Sequence, residues 1–293
     1  LQGMNGQAIV LDVTDPLLPI RQEVTVAGSV AEFGAPSEGL REFVVFQGSD
    51  FPLPKAVGKV GNQNLHGLPT PNLLIVTDPA FRQEAQRLAD FRMNHDGLTA
   101  QVVTTQEIYN EFSSGRQDVV ALRDFIRLLY QKDHHAIRGL RYVLLFGDAS
   151  FDYKDRLDGN TNHVPVYESE ESLHPIYSFS SDDYFTFMEE TEGDWRETSE
   201  QVIHTMELGV GRLPVTTPQE AREVVDKLIY YSSSQETLTE WRKRLVFVAD
   251  DGDLNTHQLQ ADQLATFVEE NYPRANVARV FVDAYPQATS PAS

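Results

Sequence analysis

Residues 72–78 read NLLIVTD and run straight into Pro79, and this junction decides the fold. An apolar run this uniform, Leu73 to Val76, suits a strand covered on both faces rather than one with a wet side. Asp78-Pro79 then offers an acidic cap with proline at the first helical position. Phe81, Ala85 and Leu88 follow at helical spacing, and the helix should end near Gly97. The alternation repeats with AQVVT (100–104), then a short helix opened by Thr104 with Glu107 three residues on, the spacing of a capping box. A longer helix carries Leu122, Phe125, Ile126 and Leu129 as its buried stripe, and YVLLFGD (142–148) closes the unit. Strands alternating with amphipathic helices predict a parallel sheet covered on both faces, with right-handed crossovers.

On either side the pattern changes. Residues 1–57 read as short strands, QAIVLDVTD, IRQEVTVAG and REFVVFQG, punctuated by Asp-Pro and Gly-Ala-Pro. Residues 152–197 hold 13 Asp/Glu against 3 Lys/Arg, a net of −10, with Tyr and Phe interleaved, so an excursion packed through its aromatics is expected. MELGVGRLPV is a further strand and turn. Thr217-Pro218 with Glu220 predicts a capped helix burying Ala221, Val224, Val225 and Leu228. After the polar stretch SSSQETLTE comes a second α/β unit. The strand RLVFVADDGD leads to a helix with Ala261, Leu264, Ala265 and Val268 on one side, ended by Tyr272-Pro273, and then to VARVFVD. Two strands and one helix are too few for an independent layer. The expected organisation is a β-rich segment over 1–57, an α/β subdomain over 58–235 and the start of a second over 236–293.

Composition narrows the chemistry. The 293 residues carry 24 Lys+Arg and 44 Asp+Glu, a net charge of −20, which repels phosphate backbones and anionic lipid. No run of about 18 apolar residues occurs, so no membrane-spanning helix is expected. There is no cysteine, which excludes disulfides, thiolate metal sites and a thiol nucleophile within these residues. Leu1 at the start and PQATSPAS at the end lead us to expect an excised piece of a longer protein.

Carboxylates recur at the ends of the predicted strands: Asp78, Asp148, Asp250, Asp251 and Asp283. Ligand crevices of open parallel sheets lie on that edge, so these acids could converge; each could equally cap the next helix, above all Asp78. Asp155, Asp158, Asn160 and Asn162 place oxygens at nearly alternate positions, and Asp182-Asp183 offers a second oxygen-rich pair. Both are calcium candidates, although a solvated acidic face is the plainer reading of each. His134-His135 follows a helix whose C-terminus it would complement, while His257 is the histidine to test near the Asp251 loop. Asp251-Gly252-Asp253 and Gly147-Asp148 with Asp152 resemble the nucleophile and magnesium motifs of haloacid-dehalogenase phosphotransferases. Their order is reversed relative to that family, so this stands only as an alternative.

The segments GNQNLHGLPTPNLLIVTD, EIYNEFSSG, ALRDFIRLLY, RYVLLFGDASFD, HVPVYES, SSDDYF, LGVGRLPV, DKLIYY and WRKRLVFVADDGD, in this order and spacing, carry a stronger likeness. Together they resemble the gingipain-type cysteine peptidases, in the branch of the type IX secretion sortases, over roughly four fifths of the chain. The first 57 residues resemble the end of the β-rich region that precedes the peptidase domain in that branch. The resemblance implies a caspase-like α/β fold of two subdomains, with a catalytic histidine and cysteine on the second. Neither the Gly-His-Gly turn nor the cysteine-ended strand occurs here, so this chain is expected to be inactive by itself. Asp251 falls where the family has the glutamate that supports its histidine, one methylene shorter. Leu254 and Asn255 stand near the place of the acid that forms the family's basic specificity pocket, so cleavage after Arg or Lys is not expected. The resemblance further implies protein substrates or secretion-system partners and a place at the cell surface, on the extracellular face of the outer membrane. A pseudo-peptidase scaffold remains the other alternative.

Overall fold

Leu73–Thr77 is buried at every position, as a strand covered on both faces must be. The computed structural model describes the chain except residues 5–7, 37, 48–55, 57, 134–138, 171–172, 175–176, 190–191, 193–203 and 287–293. The chain forms two units, Leu1–Gly61 and Asn62–Ser293.

The first unit is built of short strands: β1 (Ile9–Asp12), β2 (Ile20–Arg21), β3 (Thr25–Ala27), β4 (Val30–Glu32) and β5 (Phe43–Phe46). β1 is the centre of an antiparallel trio flanked by β2 and β5, and β3 pairs with β4 as a hairpin. The stretch IRQEVTVAG therefore divides into two strands in different sheets, and β4 arises where no strand was expected. Asp12 is pinned by the Arg41 guanidinium at 2.7 Å and by the Thr14 amide at 3.0 Å.

In the second unit β6 (Leu73–Thr77) is followed by one 3-10 turn, Pro79–Phe81, and α1 (Arg82–Asp96), which stops at Gly97 in the left-handed conformation (φ 70°) that glycine adopts without a Cβ penalty. β7 (Ala100–Thr104) leads into α2 (Thr105–Phe112), and the capping box closes in both directions between Thr104 and Glu107. α3 (Val119–Asp133) and β8 (Tyr142–Phe146) follow. The acidic excursion contributes a two-stranded ribbon, β9 (Tyr167–Glu168) and β10 (Ser180–Ser181), before β11 (Gly209–Leu213) and α4 (Pro218–Ser233). β12 (Arg244–Ala249), α5 (Gly252–Asn271) and β13 (Asn276–Phe281) complete it.

The main sheet is four-stranded and wholly parallel, in the order β11-β8-β6-β7. Alternate residues of β6 enter different cores, as a two-residue period requires. Leu74 and Val76 join Leu122, Phe125 and Ile126 of α3. Leu73 and Ile75 join Phe81, Ala85 and Leu88 on the α1 side, together with Ala221 and Val225 of α4. The excursion belongs to the α3 face: Tyr184 and Phe185 are in that core, and Tyr184 stacks on Tyr167 at 4.5 Å. Arg123 of α3, itself buried, anchors it by donating to the carbonyls of Phe187 (2.8 Å) and Glu189 (3.3 Å). The segment before β6 is tied down by Glu111 of α2, whose carboxylate accepts from Gln63 and from the amides of Leu65 and His66.

Two helix readings need correction. The Glu220 carboxylate reaches back to Thr216, taking its amide at 2.8 Å and its hydroxyl at 2.7 Å, so only the Thr217 half of the expected box forms. In α5, only Ala265 of the expected buried stripe is fully buried, and Leu264 is 58% exposed. The reason is the small layer it covers. Among the described residues β12 and β13 pair only with each other, and β12 leaves Val246 and Val248 exposed.

Candidate functional site

In the main sheet the strand order reverses between β6 and β8, which places a ligand crevice, by the rule for open parallel sheets, at the carboxyl ends of those two strands. Here the chain itself fills that crevice. Asp78 caps the turn after β6 by accepting from the Ala80 amide at 2.7 Å, and its other oxygen lies 3.3 Å from Nδ1 of His163. The imidazole packs on Phe81, ring centroids 4.6 Å apart. Asp148, just past β8, accepts from the Thr161 hydroxyl at 2.6 Å, while its carbonyl accepts from the amides of His163 and Val164. Gly147 (φ 150°) permits this contact: a Cβ there would lie 2.9 Å from Val164 Cγ2. Two of the strand-end acids thus secure one loop.

Asp152 organises the next turn. Its Oδ2 accepts from the amides of Arg156 (2.6 Å) and Leu157 (2.7 Å), and these bonds, that from Leu157 foremost, hold the carboxyl below its ordinary range. The asparagines predicted as calcium ligands serve the backbone: Asn160 Oδ1 accepts from the Asn162 amide and Asn162 Oδ1 from the Ser150 amide. Asp155 and Asp158 are exposed. Asp182 is taken up by Arg212 of β11, whose Nε and Nη2 donate to the two carboxylate oxygens at 2.8 and 2.7 Å. Asp183 opens the 3-10 turn Asp183–Thr186. Among the described residues no group of three Asp, Glu or His side chains is placed to hold a metal ion.

Asp251 follows β12 and precedes the first residue of α5. It makes no cap hydrogen bond, and its exposed carboxylate is uncommitted among the described residues. The helix begins with three left-handed residues, Asp253, Leu254 and Asn255, before regular geometry starts. His257 pairs with Asp253 at 3.1 Å, one helical turn away, rather than with Asp251. Asp283 accepts weakly from Gln258 at 3.4 Å. The strand-end acids therefore sit on two different sheets, Asp78 and Asp148 on one, Asp250, Asp251 and Asp283 on the other. His134-His135 lies outside the described residues. Arg212 was not anticipated, although an arginine inside the glycine-rich strand GVGRL was the available signal.

With this geometry in hand, the comparisons define the class. The model of peptidase family C25 matches residues 66–293, and the chain belongs to that family. Among solved structures, it is similar to dimeric latent PorU from Porphyromonas gingivalis, with 28% identity and a TM-score of 0.69 over 90% of this chain. The chain spans 27% of the length of that protein. A second structure, described only as a protease, shares 14% identity at a TM-score of 0.50, covering 73% of this chain and 40% of its own, a likeness of fold alone. No curated protein sequence matches. The fold is thus the caspase-like α/β arrangement expected, with a β-rich segment before it. Among the described residues no helix is long and apolar enough to cross a membrane.

Proposed function

We infer that these residues are the leading part of a gingipain-like cysteine endopeptidase that acts as a secretion sortase, with the main sheet as scaffold and Asp251 as the acid that orients the catalytic histidine. The observation that carries this reading is the family C25 match running through β12 to a free carboxylate at Asp251. A carboxylate in that role holds an imidazole in the tautomer whose free nitrogen accepts the thiol proton, and then stabilises the imidazolium opposite the thiolate. With no cysteine among these 293 residues, the nucleophile must come from further sequence, and the chain alone is inactive. The reading includes protein clients or secretion-system partners at the cell surface, and the family's surface or secreted setting supports it.

The test is to express the complete polypeptide that carries these residues, with and without Asp251→Asn, and to assay cleavage of a client protein. The variant keeps size and removes charge, so it should fold normally and lose about 10²–10⁴-fold in kcat, as when the orienting acid of a triad is neutralised. Unchanged kcat would remove Asp251 from the mechanism. A complete polypeptide without a thiol-dependent activity would overturn the peptidase reading itself.

A further inference from the structure

Beside the filled crevice, toward β11, lies an open cavity of about 720 Å³, inside the range of roughly 300–1,000 Å³ typical of ligand pockets. Its floor is the end of β8 with Asp148, Ser150 and Phe151, and its wall is the β9–β10 ribbon with Glu168 and Ser181. Arg212 is present, but its charge is spent. Besides Asp182 it donates to the carbonyls of Gly147, Val164 and Pro165, so no donor is left for an anion. The pair Arg212–Asp182 contributes no net charge, and what remains is the carboxylates of Asp148 and Glu168.

Glu168 is the informative group. Its neighbour Tyr167 turns into the core against Tyr184, so the strand's alternation sends Glu168 to the opposite side, where its carboxylate has no hydrogen bond or ion pair among the described residues. Burial alone pushes that carboxyl above its ordinary range, the mark of an anion lacking a counter-charge. A metal ion is not the match, because among the described residues no third Asp, Glu or His side chain gathers with these two carboxylates. An ammonium or guanidinium group on a flexible stem is. Its methylenes would lie along Phe151, which is 73% exposed, and Phe179. Two hydroxyls point to a polypeptide carrier. Ser150 Oγ accepts from the Asp152 amide and Ser181 Oγ from the Asp183 amide, so both retain a hydrogen to give to peptide carbonyls in the cavity.

We propose that the cavity between the end of β8 and the β9–β10 ribbon binds a lysine or arginine side chain of a polypeptide, with Glu168 and Asp148 as the charge partners and Phe151 as the apolar wall. The assignment stands on residues 148–212 and holds whether or not the complete polypeptide is a peptidase.

The experiment titrates Ac-Gly-Lys-Gly-NH2, its norleucine counterpart and free lysine amide into this chain and follows backbone amide shifts. The lysine peptide should shift Ser150, Glu168 and Ser181 saturably and more tightly than lysine amide, and the norleucine peptide should not. Glu168→Gln should weaken the lysine peptide ~5-fold or more, the worth of one ion pair. Phe151→Ser, at an exposed position that folding does not need, should also weaken it. Equal response to lysine and norleucine, or an unchanged Kd in Glu168→Gln, would overturn the charge assignment. Equal binding of lysine amide would overturn the polypeptide assignment.

Discussion

Glu111 gathers four donors onto one carboxylate: Gln63 Nε2 at 2.9 Å, the Leu65 amide at 2.8 Å, the His66 amide at 3.4 Å and His66 Nδ1 at 2.9 Å. Burial pushes this carboxyl up, but the hydrogen bonds from Gln63, Leu65 and His66 outweigh it and hold the pKa at about 2 against an ordinary 4.5. The native state therefore binds this proton less readily than the unfolded chain. Its stabilisation is complete above pH 4.5 and is lost as pH falls toward 2. Glu111→Gln is expected to lower stability at pH 7 by about 1.5–3 kcal/mol, the range for hydrogen bonds to a charged group. Urea midpoints of the two proteins should converge as pH drops through that window; a gap that persists at pH 2 would argue that packing, not charge, is responsible. EIYNEFSSG marked Glu111 only as a helix residue, since its partners lie more than forty positions upstream.

At the scale of elements, the acidic excursion depends on α3. Arg123 gives its donors to two carbonyls of the excursion and lies over the Tyr184 ring at 5.7 Å, and Arg127 donates to the Met188 carbonyl at 3.0 Å. Excess negative charge in this segment would favour a solvated chain; buried aromatics and buried arginine donors oppose it. Arg123→Met keeps the aliphatic stem and removes the guanidinium donors from both carbonyls, at an expected cost of about 1–3 kcal/mol. Arg123→Lys should recover only part of that, because an ammonium cannot reproduce the guanidinium fork. Limited proteolysis should cut the methionine variant faster within 180–189 than the parent; equal cutting would mean the aromatics alone hold the segment.

Across the whole of Asn62–Ser293, order is uneven. The four-stranded sheet has both faces covered, whereas β12, β13 and α5 make a single thin layer with Leu245, Val246, Val248 and Phe267 exposed. Local opening free energy follows buried apolar contact, so amides of 244–249 and 276–281 should exchange faster than those of 73–77 and 142–146 by about two orders of magnitude. Equal protection would mean that this layer opens only with the whole domain. Sequence alone determined the parallel sheet, its helices, the Thr104 box and the stop at Gly97, because cap chemistry and hydrophobic period are local and survive in one dimension. It also excluded thiol chemistry by these residues, since no cysteine is present. Only the tertiary structure decided that Arg212 neutralises Asp182 thirty positions away, that Asp78 and Asp148 fasten a loop, and that the Glu168 carboxylate is left without a partner among the described residues. Each of those outcomes depends on which strands become neighbours, and pairing between distant residues leaves no periodic trace in the chain.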